Sequence, residues 1–143
     1  MMGFHDMQRK ANVVNIRVSH EDLDNKYSAE ELTSILSEAK SIIPRLVTRY
    51  AKEMNITYNK VFVKKQKTRW GSCSSRGNIN LNCLIILVPS YVKKYVIVHE
   101  LAHRKEMNHS ERFWKIVASM IPNYQKAMMW LKRNGDFVIG RLP

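Results

Sequence analysis

Residues 89–103 read Pro89-Ser90-Tyr91-Val92-Lys93-Lys94-Tyr95-Val96-Ile97-Val98-His99-Glu100-Leu101-Ala102-His103. Pro89-Ser90 can open a helix, and Val92, Tyr95, Val96, His99, Ala102 and His103 recur at helical spacing. The pattern predicts a helix over 90–106. Its two histidines stand at i and i+4, so they share one face and extend the apolar stripe toward the interior. Imidazoles placed this way can hold one metal ion, each nitrogen about 2.0–2.1 Å from it. Glu100 follows the first histidine and can take a proton from a water without ligating the metal itself. A His-Glu-x-x-His helix therefore points to one zinc and to a water activated for attack on a carbonyl.

A catalytic zinc usually takes three protein ligands and leaves a position for water. His109, six residues past His103, is the best third ligand. Asn108 tolerates a left-handed conformation and can turn the chain back toward the metal. Glu106 and Glu111 are the rivals. Glu106 shares the predicted helix, whose rigidity rarely brings three such positions to one ion, and Glu111 opens the next helix. His5 and His20 lie far upstream and carry no site.

Working outward, the chain has 143 residues, which suits one domain. Residues 1–27 read as a short arm in which Asn12–Val18 can pair as a strand, and residues 28–143 as a single domain. Ser28 and Glu31 form a capping-box pattern for a first helix reaching about Met54. Pro44 lies inside that helix and is a candidate kink. Residues 57–63, 66–73 and 78–82 read as strands, with Ser74-Ser75-Arg76-Gly77 as a turn. Leu84-Ile85-Ile86-Leu87-Val88 either extends the last strand or forms a buried connection. A third helix begins near Ser110. Pro122 opens a fourth, with Asn134-Gly135 as its stop. Helix, small sheet, then helices is an α+β class, with the small antiparallel or mixed sheet against the His-Glu-x-x-His helix.

Charge is uneven. Residues 1–53 hold eight acids and eight bases, whereas residues 54–143 hold four acids and sixteen bases, and no acid lies between Glu53 and Glu100. A body of that charge attracts polyanions. Lys60, Lys64, Lys65, Lys67, Arg69 and Arg76, interleaved with Tyr58, Phe62 and Trp70, have the composition of a single-stranded nucleic-acid surface. The longest aliphatic run is five residues, too short to span a bilayer. The first residues contain no signal-peptide core. Cys73 and Cys83 make no disulfide scaffold and fit a reducing, cytoplasmic setting.

Other residues have less defined roles. Trp70 and Gly71 precede the metal helix on a predicted strand, where an extended peptide can pair with the edge and Gly71 allows close approach. With Arg69 they form a candidate substrate-binding set, although Trp70 reads more readily as a core residue beside a bulge. Cys73 is a conceivable metal contact or a small buried filler. Tyr91, Tyr95 and Tyr124 are candidates to stabilise an oxyanion. Phe113, Trp114, Val117 and Ile121 read as core.

His99-Glu100-Leu101-Ala102-His103 followed by Asn108-His109-Ser110 and Phe113-Trp114 resembles the YgjP-like metallopeptidase family, and beyond it the SprT/Spartan-like zinc proteases. Arg69-Trp70-Gly71-Ser72-Cys73-Ser74, Gly77-Asn78-Ile79 and Trp130-Leu131-Lys132 share that resemblance, which spans roughly residues 28–135. It implies a zincin-like fold, one zinc and hydrolysis of a peptide or protein substrate. It carries the ligand roles onto His99, His103 and His109, and the general-base role onto Glu100. One departure is the short segment before the first helix, since family members usually carry a longer β-rich part there. Metzincins also space a third histidine by six but keep a glycine midway, where this chain has Glu106.

Two other classes use the same residues. The cationic body could make this a DNA-associated protein, with or without proteolysis. The same activated water could attack a phosphoryl group, which would make the chain a nucleotide phosphohydrolase. A purely structural zinc fits poorly, because such sites usually close with four protein ligands.

Overall fold

The computed structural model describes residues 25–143. The expected strand at Asn12–Val18, and His5 and His20, lie outside the described residues. Helix α1 runs Ala29–Met54. Ser28 accepts from the Glu31 amide and Glu31 accepts from the Ser28 amide, which completes the capping box. Ile35, Ala39, Ile43, Val47 and Ala51 form its buried stripe. The helix continues through Pro44 and stops at Asn55, whose left-handed backbone (φ 57°, ψ 47°) caps it.

Three short strands follow: β1 (Val61–Lys64), β2 (Gly71–Cys73) and β3 (Ile79–Asn82). The sheet is mixed, in the order β1-β3-β2. β1 runs parallel to β3, with Val61 opposite Ile79, and β2 runs antiparallel to β3, with Gly71 opposite Leu81. The strands expected over 66–73 and 57–63 are shorter than their sequence pattern. The buried Asn82 amide donates to the carbonyls of Gln66 (2.8 Å) and Arg69 (3.0 Å), so these carbonyls bond a side chain rather than a neighbouring strand. Likewise, Arg104 Nε donates to the Thr57 carbonyl at 2.9 Å. Asn82 Oδ1 then caps a 3-10 helix over Cys83–Leu87, which makes the aliphatic run a buried connection.

Helix α2 spans Ser90–Ala102 and packs against α1, α3, α4 and the sheet. Val92, Ile97, Val98, Leu101 and Ala102 are fully enclosed, so this helix is buried on nearly every side. It ends four residues before the predicted boundary. The chain turns at His103 so that the Glu106 carbonyl faces back to the His103 ring at 3.0 Å, which a continuing helix would not allow. α3 covers Glu111–Met120 with Ser110 as its cap, and α4 covers Tyr124–Gly140. The expected stop at Asn134-Gly135 is absent, because Gly135 lies inside α4. A Cβ there would come within 3.2 Å of Trp70 Nε1, so this glycine makes room for an indole rather than a turn. At the far end, the Tyr27 amide donates to the Arg141 carbonyl at 2.8 Å and joins the start of α1 to the end of α4. No helix among the described residues is long and apolar enough to cross a membrane.

Candidate metal centre

His99 is on the last turn of α2, His103 is its first non-helical residue, and His109 lies in the loop before α3. Among the described residues these three form the metal-capable group, with one ligand atom from each within 4.8 Å of the others. The Nε2 atoms of His99 and His109 face each other at 3.2 Å. Two nitrogens bound to one tetrahedral zinc at about 2.0–2.1 Å would stand about 3.3–3.4 Å apart. The observed spacing therefore fits one ion between them. Burial falls across the set, with His103 buried, His99 half-buried and His109 exposed, so one side opens to solvent.

The loop reaches this geometry without the expected device. The described non-glycine residues with positive φ are Asn25 and Asn55, so Asn108 does not turn left-handed. Glu106 holds the loop instead. Its carbonyl faces His103 Nδ1, and its carboxylate accepts from Ser110 Oγ at 3.3 Å and pairs with Arg112 Nε at 3.5 Å. Glu106 is thus engaged outside the histidine group, and Glu111 opens α3 outside it as well.

Phe113 is the residue whose part here the sequence pattern conceals. Fully buried, it stacks on His103 with ring centroids 4.5 Å apart, and it meets His99 and His109 edge-on at 5.0 and 4.9 Å. Its spacing reads as core; the available signal is that it follows His109 closely, in the first turn of α3 just past the Ser110 cap. Trp114 stacks on His109 and on Tyr124, with centroids 5.8 and 5.1 Å apart.

Electrostatics favour the neutral form of His99 and His103. Burial, reinforced by the charges of His103 and His109, pulls His99 down to about 4. Burial also lowers His103, partly opposed by the Glu106 and Met107 backbone. Neutral rings keep the lone pairs that a metal needs. Glu100 is buried, and burial pushes its carboxyl up to about 7, with the Arg69 charge opposing. Glu100 also lies against β2, where a Cβ on Gly71 would meet its Cγ at 3.0 Å and the Asn80 carbonyl at 3.0 Å. Gly71 thus lets the strand approach Glu100.

The remaining expected residues are placed as follows. Arg69 is exposed on the loop before β2 and half-buried Trp70 packs toward Gly135. Lys60, Lys64, Lys65, Lys67 and Arg76 are all exposed around the sheet. Cys73 is half-buried outside the histidine group, its thiol pushed up by burial and by Glu100. Tyr95 is buried beside His99, with its hydroxyl 3.3 Å from His99 Nδ1. Burial, together with Glu100 and Tyr124, pushes that hydroxyl up to about 12. Tyr91 is exposed at the start of α2, with the Lys126 ammonium 4.7 Å from its ring centroid.

Comparison with known proteins gives the same direction. The model for the YgjP-like, metallopeptidase domain family matches residues 5–134. No curated protein matches the chain. Among solved structures, the metallopeptidase zymogen abylysin of Pyrococcus abyssi is 23% identical with a TM-score of 0.56, over 64% of this chain and 90% of that one. The metallopeptidase zymogen jannalysin of Methanocaldococcus jannaschii is 22% identical with a TM-score of 0.56, over 66% and 96%. At these identities the likeness is one of fold.

Proposed function

The chain belongs to the YgjP-like metallopeptidase domain family, and from that premise we propose that it is a zinc-dependent peptidase with a zincin-like fold. The observation that carries the proposal is the convergence of His99, His103 and His109, two of whose Nε2 atoms are 3.2 Å apart, beside a helix that also presents buried Glu100. His99, His103 and His109 hold the metal. A bound zinc supplies Lewis acidity, which favours ionisation of water near neutral pH and polarises a carbonyl.

Glu100 is the general base. It is buried against β2, and its affinity for a proton near neutrality suits it to take one from the attacking water and return it to the leaving amine. Phe113 and Trp114 pack the histidine rings on one side, while exposed His109 leaves the other side open to substrate. Gly71 begins the edge strand β2 beside Glu100, with Arg69 on the loop before it, and an extended peptide pairing with β2 would bring its carbonyl there.

The test is to titrate metal-free protein with zinc and then offer it an unfolded protein substrate. The proposal expects one zinc per chain and cleavage that stops when the metal is chelated. Zinc bound at another stoichiometry, or cleavage indifferent to chelation, would overturn it.

A further inference from the structure

A histidine that binds metal through Nε2 carries its remaining proton on Nδ1, and that proton needs an acceptor to fix the ring. His99 and His103 meet this need differently. His103 Nδ1 faces the Glu106 backbone carbonyl at 3.0 Å. His99 Nδ1 faces a side chain, the Tyr95 hydroxyl, at 3.3 Å. Tyr95 lies one helical turn before His99, is almost fully buried, and meets the imidazole edge-on with ring centroids 5.6 Å apart. Its ring is therefore fixed by the core while its oxygen stands behind the ligand. We propose that Tyr95 is a positioning residue that holds His99 in the Nδ1–H tautomer, with Nε2 turned toward His103 and His109.

This assignment rests on the three-histidine site proposed above and separates the three tyrosine candidates. Tyr95 sits on the Nδ1 side of His99, whereas the nitrogen that meets His109 is Nε2, on the opposite side of the ring. It acts through the ligand and does not touch the reacting carbonyl. The bond has a direction: His99 Nδ1–H donates and the tyrosine oxygen accepts. Second partners of this kind typically change metal affinity about 10–100-fold when removed.

Tyr95→Phe keeps the ring and removes only the acceptor. Two readouts test it on the full chain, neither using substrate. Nitrogen-15 NMR of the metal-free protein reports the His99 tautomer directly. It is expected to show the proton on Nδ1 in the parent and a mixture of tautomers in the variant. Competition with a zinc chelator is expected to show about 10–100-fold weaker binding in Tyr95→Phe and parent-like binding in Tyr91→Phe, which removes an exposed hydroxyl.

A parent protein with the His99 proton on Nε2 would overturn the proposal even if Tyr95→Phe failed to fold. So would a folded Tyr95→Phe chain that binds zinc within about twofold of the parent, well short of the loss expected for such a partner. A chain that binds zinc as expected but cleaves nothing would sink the peptidase reading and leave this assignment standing.

Discussion

The Nε2 atoms of His99 and His109 stand 3.2 Å apart although the residues come from a helix and a loop ten positions on. Two imidazole nitrogens at that spacing suit a shared cation that both can reach. His109→Ala is expected to weaken zinc binding by more than about a hundredfold, since it removes a direct ligand where indirect partners already account for about 10–100-fold. Chelator competition measures this. An equal loss in Glu111→Ala would move the third ligand to that residue.

Gly71 and Glu100 form a second close pair. Gly71→Ala places a Cβ 3.0 Å from the Glu100 Cγ and 3.0 Å from the Asn80 carbonyl, and the latter is backbone that cannot swing away. The substitution is expected to destabilise the chain by about 1–3 kcal/mol, read by urea denaturation. Any displaced Glu100 should also appear as reduced turnover at unchanged zinc affinity.

Asn82 is a fully buried polar residue whose side chain makes three bonds: to the Gln66 carbonyl, to the Arg69 carbonyl and from the Leu84 amide. Asn82→Ala is expected to cost about 2–4 kcal/mol, since each bond contributes about 1 kcal/mol and the orphaned groups add more. Asn82→Asp retains the acceptor for Leu84 but loses both donations, so the loop before β2 should loosen. Faster amide exchange over residues 66–70 in that variant would show it.

The helices, and the pairing of two histidines with Glu100, are legible in the sequence because they are local. Ser28 with Glu31 fixes the start of α1, and i/i+4 spacing puts His99 and His103 on one face. The parts that are not legible depend on partners far apart in sequence. Strand length before β2 is decided by Asn82, more than a dozen residues away from the Gln66 and Arg69 carbonyls. The reason for Gly135 is Trp70, on a distant loop. The shape of the 103–110 loop comes from the Glu106 carbonyl and carboxylate rather than from a left-handed asparagine. Local pattern can flag these residues, but it does not say what they touch.

Tyr27 supplies a pH test away from the metal. Burial pushes its hydroxyl up to about 12 from 10.0, against the lowering effect of Arg141, and the hydroxyl donates to the Val138 carbonyl at 3.0 Å. The unfolded chain loses this proton near pH 10 while the folded chain keeps it, so the unfolded state binds fewer protons in that interval. Stability from this group is fully present below about pH 10 and is lost as pH rises toward about 12, on the order of 2–3 kcal/mol. Denaturation midpoints for the parent and Tyr27→Phe should therefore converge between about pH 10 and 12. A constant gap would place the proton elsewhere.

The most direct test of the central claim compares Glu100→Gln with the parent for zinc content and for cleavage of an unfolded protein substrate. The substituted amide keeps the size of the side chain against β2 but cannot accept the proton. The account predicts one zinc per chain in both proteins and a loss of cleavage of at least about 100-fold in the variant, the contribution expected of a general base. Undiminished cleavage by zinc-loaded Glu100→Gln would contradict it, as would a variant that folds but no longer binds the metal.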